Sequence, residues 1–137
     1  MRTRAAAEGS IALQKYLLIA LGGALGSMAR YWVGSAIQGR IGMRFPYGTL
    51  VVNLTACAII GFTLTYLGTH LEISPAWRYL VPVGFIGAYS TFSTFEWEAL
   101  TTMRSGAFAL AAIYVGVSVA LGLVAAWSGA ALAEWMS

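Results

Sequence analysis

Four apolar stretches fill most of this 137-residue chain: about Tyr16–Ile37, Gly48–Leu67, Arg78–Met103 and Gly106–Ala133. Each has at least the roughly 20 residues that carry a helix across the hydrocarbon of a bilayer. Inside lipid a helix satisfies its own backbone hydrogen bonds, so stretches of this length are expected to fold as spans. The remainder is too short for a separate soluble domain. Only 9% of the residues are charged and 59% are hydrophobic, where a soluble domain carries roughly 25% charge. The expectation is one all-α integral membrane domain over 1–137, with four spans.

The segments outside the spans are brief. Residues 1–13 read as a basic, mobile tail with Arg2 and Arg4. Arg2, Arg4 and Lys15 ahead of an apolar run raise the idea of a cleaved signal peptide. The run is too long for that and is patterned with Gly22, Gly23, Gly26 and Arg30, so it is read as a retained first helix. Gln38–Tyr47 and Gly68–Trp77 form the first two connections. Arg104-Ser105 is a tight turn that makes the last two spans a hairpin. Tyr16, Tyr47, Trp77, Tyr79 and Trp135 fall near span ends, where an interfacial aromatic belt forms. Cys57 is the single cysteine and lies within a span, so no disulfide within the chain is available.

Charge placement bears on orientation. Four spans put both termini on one side, with Arg2, Arg4, Lys15 and Arg78; Arg40, Arg44 and Arg104 lie on the other, and Arg30 completes the eight cations. Orientation follows the cation bias between sides, and four against three is almost none. Two readings stay open: one weakly biased orientation, or insertion both ways with oppositely oriented copies packed about a two-fold axis. No basic run approaches a nucleic-acid footprint.

The third stretch is the unusual one. Thr91-Phe92-Ser93-Thr94-Phe95 places hydroxyls and phenyl rings in mid-span, after Pro82, Gly84 and Gly87, which loosen a helix. Polar groups at that depth must face protein or a water-filled path. Unwound turns offer carbonyls to a cation, and half-helix N-termini favour anions. Phe92 and Phe95 are three apart and share a face; they serve as plain packing or present positive ring edges to an anion. Ser93 and Thr94 either line a path or bond back to the preceding turn. Glu96 and Glu98 follow, as a proton-coupled site or as interfacial, solvated acids.

Other helices add polar residues at intervals of four. Gly22, Gly26, Arg30 and Gly34 share one face of the first span, a stripe that permits close packing. Arg30 is either a cation beside an anion path or a snorkelling charge. Thr49, Asn53 and Cys57 share a face of the second span, where Asn53 is interhelical glue or a pore amide. Tyr114 and Ser118 share a face of the fourth. Enzyme chemistry is not expected: one His, one Cys and no Asp allow neither a triad nor a zinc set.

Four stretches together resemble one family, the bacterial Fluc (CrcB-type) fluoride channels. They are Gly22-Gly23-Ala24-Leu25-Gly26 leading to Arg30-Tyr31, Gly48-Thr49-Leu50-Val51-Val52-Asn53-Leu54, Gly84-Phe85-Ile86-Gly87, and Thr91-Phe92-Ser93-Thr94-Phe95 with Glu98. The resemblance covers nearly all of the chain after residue 15. It implies a multi-pass protein of the bacterial cytoplasmic (inner) membrane that exports fluoride passively. It implies an antiparallel, dual-topology homodimer with two pores, and a third helix broken mid-membrane. A structural sodium ion would be held by backbone carbonyls of Gly87 and Ser90. Asn53, Phe92 and Phe95 would line the pore with Thr49, Ser93, Thr94, Glu98, Tyr114 and Ser118, and Arg30 would stand at a vestibule. The chain departs from the family pattern at Ala88-Tyr89-Ser90, at Glu96-Trp97, and at Gly122 and Ala126, where further hydroxyls are expected. The alternative is a small multidrug-resistance-type, proton-coupled exporter. That needs a carboxylate in the first span, where this chain has Arg30.

Overall fold

The computed structural model describes residues 2–42 and 45–137. Arg44, counted above among the loop charges, lies outside them, as do the side chains of Arg2 and Arg4.

Helix α1 (Arg2–Ile41) is 40 residues long, roughly 60 Å at 1.5 Å per residue and about twice the hydrocarbon thickness. It therefore begins at Arg2 rather than Tyr16, and residues 2–13 extend the same helix. Ala5, Ala6 and Ala7 are strong helix formers, and no proline interrupts them. Helix α2 (Tyr47–Thr69) ends where the Arg78 guanidinium donates to the Leu67 carbonyl at 2.8 Å, filling one of the acceptors that a helix C-terminus leaves open. Helix α5 (Phe108–Met136) is the last. It is joined to the preceding helix by a turn in which Gly106 adopts φ +87°, a left-handed conformation that suits glycine. Residues 11–41 of α1, all of α2 and all of α5 are each long and apolar enough to span a membrane.

The remaining segment is broken in two. Helix α3 comprises a first turn Ala76–Arg78, an eight-residue π-helical stretch Tyr79–Ile86, and a last turn Gly87–Tyr89. Pro82 lies inside the π-helical stretch; it has no N–H to give and removes one ladder bond. Ser90 and Thr91 are extended, with ψ 156° and 107°, and helix α4 (Phe92–Arg104) starts afresh. The break falls near the middle of Ala76–Arg104.

Close helix crossings fix the arrangement. A β-carbon at Gly22 would collide with the Leu80 carbonyl and one at Gly26 with the Phe85 carbonyl, so α1 lies directly on the α3 backbone. Gly61 and Gly129 bring α2 and α5 together in the same way, against Ala126 and Ala58. Small residues permit this approach, and in lipid close packing is a main source of helix association. Two buried clusters result. Val52, Ala56, Ile86 and Tyr89 pack where α2 meets α3, and Leu50, Phe95, Ala99 and Tyr114 where α2 meets α4 and α5. Helix α2 serves both, one on each side of the break. Large apolar residues of α1 and α5 face outward, Leu17, Leu21, Trp32, Val124 and Trp127 among them, as a lipid-facing surface requires. Tyr16, Trp77 and Trp135 are exposed as well.

Candidate functional site

The site is organised by the way the break satisfies its backbone. The Ser90 amide closes the last α3 turn on the Ile86 carbonyl at 3.0 Å. The next amide, Thr91, donates to Asn53 Oδ1 at 2.8 Å, while Asn53 Nδ2 donates to the Thr91 carbonyl at 3.1 Å. One carboxamide thus replaces both neighbours that an unbroken helix would give Thr91. An unpaired amide or carbonyl would cost about 1–3 kcal/mol, so the side chain stabilises an interruption that lipid would not tolerate. Between the sequence alternatives for Asn53, this geometry is a bond to the backbone of the break.

Thr91 then caps α4. Its hydroxyl oxygen accepts from the Thr94 amide at 3.3 Å and its proton goes to Thr94 Oγ1 at 2.9 Å. Two amides are consequently diverted from the α-helical ladder: Thr91 to Asn53, and Thr94 to Thr91. Their helical acceptors would have been the carbonyls of Gly87 and Ser90. These two oxygens keep their lone pairs at the C-terminal end of α3, where the helix dipole is negative. Neutral carbonyl oxygens at a negative helix end suit a hard alkali cation. The residues present fit such an ion.

A second polar node lies beyond the cap. Glu98 accepts from Thr49 Oγ1 at 2.8 Å and from the Tyr114 hydroxyl at 2.7 Å, tying α2, α4 and α5 together through one carboxylate. Tyr114 is 1% exposed. Phe95 meets its ring edge-on at 5.1 Å and Phe45 does so at 5.3 Å. Ser118, one turn further along α5, has a buried Oγ with no partner among the described residues. At Gly122, the following turn, a β-carbon would stand in ordinary contact with Cys57 Sγ, 3.6 Å away.

A groove of about 580 Å³ runs beside this node. Helix α4 contributes Thr91, Thr94, Glu98, Thr101 and Thr102, so one face of it is a hydroxyl stripe. Arg30, Gly34 and Gln38 of α1 and Thr49 of α2 line the same groove. Arg30 therefore shares a groove with Glu98. The two phenyl rings differ in setting. Their centroids are 5.9 Å apart, yet Phe95 is 6% exposed and Phe92 is 74% exposed. Ser93 is also exposed, on the open side with Phe92, and so is Glu96. The structure thus gathers Arg30, Thr49, Thr94 and Glu98 in one groove, with Phe95 and Tyr114 behind it. It leaves Phe92 and Ser93 on an open surface.

The sequence that builds this arrangement has known relatives. Residues 17–130 match the model of the family described as CrcB-like protein, Camphor Resistance (CrcB). The chain belongs to the CrcB family. Among its relatives, a protein of Acidobacterium capsulatum called fluoride-specific ion channel FluC is 56% identical over 115 residues, covering 84% of this chain and 92% of that protein. One of the same name from Solibacter usitatus is 52% identical over 120 residues, covering 88% and 98%. Another, from Rhodospirillum rubrum, is 42% identical over 116 residues, covering 83% and 90%. The chain is a multi-pass membrane protein of the CrcB family.

Several elements of the site escaped the sequence reading. Thr91 counts in the sequence as one hydroxyl of the run, although a threonine just ahead of a helical run is an N-cap signal. The Gln38 side chain donates to the Gly42 and Phe45 carbonyls and accepts from the Gly48 amide, holding the α1–α2 connection. No sequence signal pointed to it.

Proposed function

We propose that the chain is a fluoride-selective passive channel, active as an antiparallel homodimer in a bacterial cytoplasmic membrane, that relieves fluoride toxicity by letting the anion leave the cell. It is a channel and not an enzyme. The observation that carries this reading is the open face of α4, where Phe92, 74% exposed, stands beside the hydroxyl stripe. The relatives' shared name supplies the ion. Exposed Phe92 and Ser93 have polar or quadrupolar work to do only if something covers them, and a second copy of the chain provides that wall. The near-even division of cations between the two sides favours opposite orientations.

Fluoride is small and strongly hydrated, so a pore must replace its water with donors and positive ring edges. Arg30 attracts the anion into the groove. The hydroxyls of Thr94, Ser93 and Ser118 donate to it, and Phe92 and Phe95 offer ring edges where hydroxyls give out. Asn53 holds the break open and keeps the N-terminus of α4, the positive end of its dipole, toward the path. Thr49 and Tyr114 keep the Glu98 carboxylate occupied, which reduces its repulsion of a passing anion. Gly87 and Ser90 would hold a sodium ion through their carbonyls, and its charge would offset the lone pairs gathered at the break. Neutral HF entering from an acidic medium releases fluoride inside, and the outward gradient does the rest.

Fluoride efflux from liposomes holding purified protein, followed with a fluoride electrode, tests the reading, with chloride and a drug-like cation as controls. Rapid fluoride efflux that falls at least a hundredfold in Phe95→Ile, with the dimer intact by gel filtration, is expected. Proton-coupled movement of the cation without fluoride flux would overturn it in favour of a multidrug-type exporter.

A further inference from the structure

Helix α2 grips the break at a second point. The Tyr89 hydroxyl lies 2.9 Å from Thr55 Oγ1. Thr55 Oγ1 is also 2.8 Å from the Val51 carbonyl and 3.0 Å from that of Val52. A hydroxyl has one proton and accepting lone pairs. The arrangement that pairs both protons has Thr55 donating to its own preceding turn and Tyr89 donating to Thr55. The Tyr89 ring is seated independently of this bond: it is 5% exposed, packs with Val52, Ala56 and Ile86, and stacks on Phe85 at 5.6 Å. Its hydroxyl is the one part that reaches out, toward an exposed threonine.

Tyr89 and Thr91 flank Ser90, and Asn53 and Thr55 are likewise two apart on α2. Asn53 fixes the residue after Ser90. Nothing in that contact fixes the one before it, because the extended backbone of Ser90 is a swivel between the two. The turn Gly87–Tyr89 has three residues and follows a π-helical stretch whose ladder is already missing the Pro82 amide. The turn is closed by the Ser90 amide and hydroxyl on the Ile86 carbonyl, and the Tyr89–Thr55 bond is what ties it to α2 on this side of Ser90, setting the Gly87 carbonyl against that of Ser90. We infer that the Tyr89–Thr55 hydrogen bond is the second half of a latch with Asn53–Thr91, and that Tyr89 is a positioning residue for the pair of carbonyls that takes the cation. The inference rests on the cation reading given above. It assigns a task to Tyr89, one of the positions at which this chain departs from the pattern of the family it resembles.

The test reads sodium binding through stability. Thermal unfolding of the purified dimer is followed at increasing sodium, with N-methylglucamine holding ionic strength constant. Sodium raises the wild-type Tm by mass action as RT ln(1 + [Na+]/Kd), and a fit to that rise gives the half-point, the sodium concentration at which half of the folded sites are filled. Tyr89→Phe removes one oxygen and keeps the ring. It shifts that half-point to about fivefold higher sodium, the effect expected of one net hydrogen bond. Thr55→Val removes the same bond from the exposed side, so a folding defect in one variant leaves the other to report. It gives the same shift, the double variant gives no more than either, and Thr55→Ser restores the wild-type half-point. A Tm lowered equally at every sodium concentration, with the half-point unmoved, would show a merely structural bond and overturn the latch alone. A wild-type Tm indifferent to sodium would overturn the latch together with the cation reading, and the two failures are told apart in the wild-type arm.

Discussion

Helix α3 enters the break as a π-helical stretch pressed against the α1 backbone, whereas α4 leaves it as a regular α-helix capped by Thr91. The first half is read through what it lacks. Pro82 has no amide proton, and Gly84 has no side chain, which lets α1 come within backbone contact. The second half is read through what it carries, namely hydroxyls, phenyl rings and a carboxylate facing a groove. The two halves follow one another in a single segment, yet the apolar first half is a foundation and the polar second half a working surface. In lipid the polar groups cannot be scattered, because each needs a protein partner. Placing most of them after the break leaves the packing of α3 on α1 mainly steric, with Lys15 over the Tyr79 ring as its polar contact.

If that contrast is correct, steric and polar changes should fail in different ways. The largest effect is expected at the crossing. Gly26→Ala puts a β-carbon into the Phe85 carbonyl, and backbone on both sides cannot yield as a side chain would. A cost of at least ~3 kcal/mol should appear as loss of monodisperse protein after extraction. Gly23→Ala is the matched control, since its β-carbon would find its nearest neighbour at 4.0 Å. Equal yields from the two variants would refute the tight α1–α3 contact.

Next in size is the clamp. Asn53→Leu keeps the volume but strands the Thr91 amide, a group worth about 1–3 kcal/mol, and takes one donor from the Thr91 carbonyl. Protein should remain extractable with a lowered Tm, and fluoride flux should fall well over tenfold because the break no longer holds its shape. Full flux with a lowered Tm would mean that Asn53 serves stability alone.

The spans were legible because hydrophobic length is a strong signal, and the break because Pro82, Gly84 and Gly87 precede a hydroxyl run. Spacing by four placed Thr49 and Asn53 on one face correctly, but spacing says nothing about how far a side chain reaches across to another helix. Hence the pairing of Asn53 with the Thr91 backbone, and of Glu98 with Thr49 and Tyr114, emerged only in three dimensions. Helix α1 begins ahead of the apolar stretch because hydropathy marks where lipid begins, and a helix continues as long as its residues permit. The different settings of Phe92 and Phe95 were also hidden. Residues three apart are 300° apart around a helix, close enough to share a face but not the same neighbours.

The smallest effect concerns the working surface alone, where Glu98 and Glu96 sit on the same helix two residues apart. Tyr114→Phe leaves the ring against Phe95 and Phe45 and removes one of the two donors to Glu98. With about 1 kcal/mol of hydrogen bonding lost, the carboxylate regains part of its repulsion and fluoride flux should fall about fivefold. Thr49→Val removes the other donor and should act to a similar extent. Because both bonds end on one carboxylate, the double variant should depart from the product of the single effects, as groups in one network do. Glu96→Gln, on the exposed side of α4, should leave flux within twofold of wild type. A Glu96→Gln variant as impaired as Tyr114→Phe would mean that charge anywhere on α4 governs conduction, and that the groove has no privileged carboxylate.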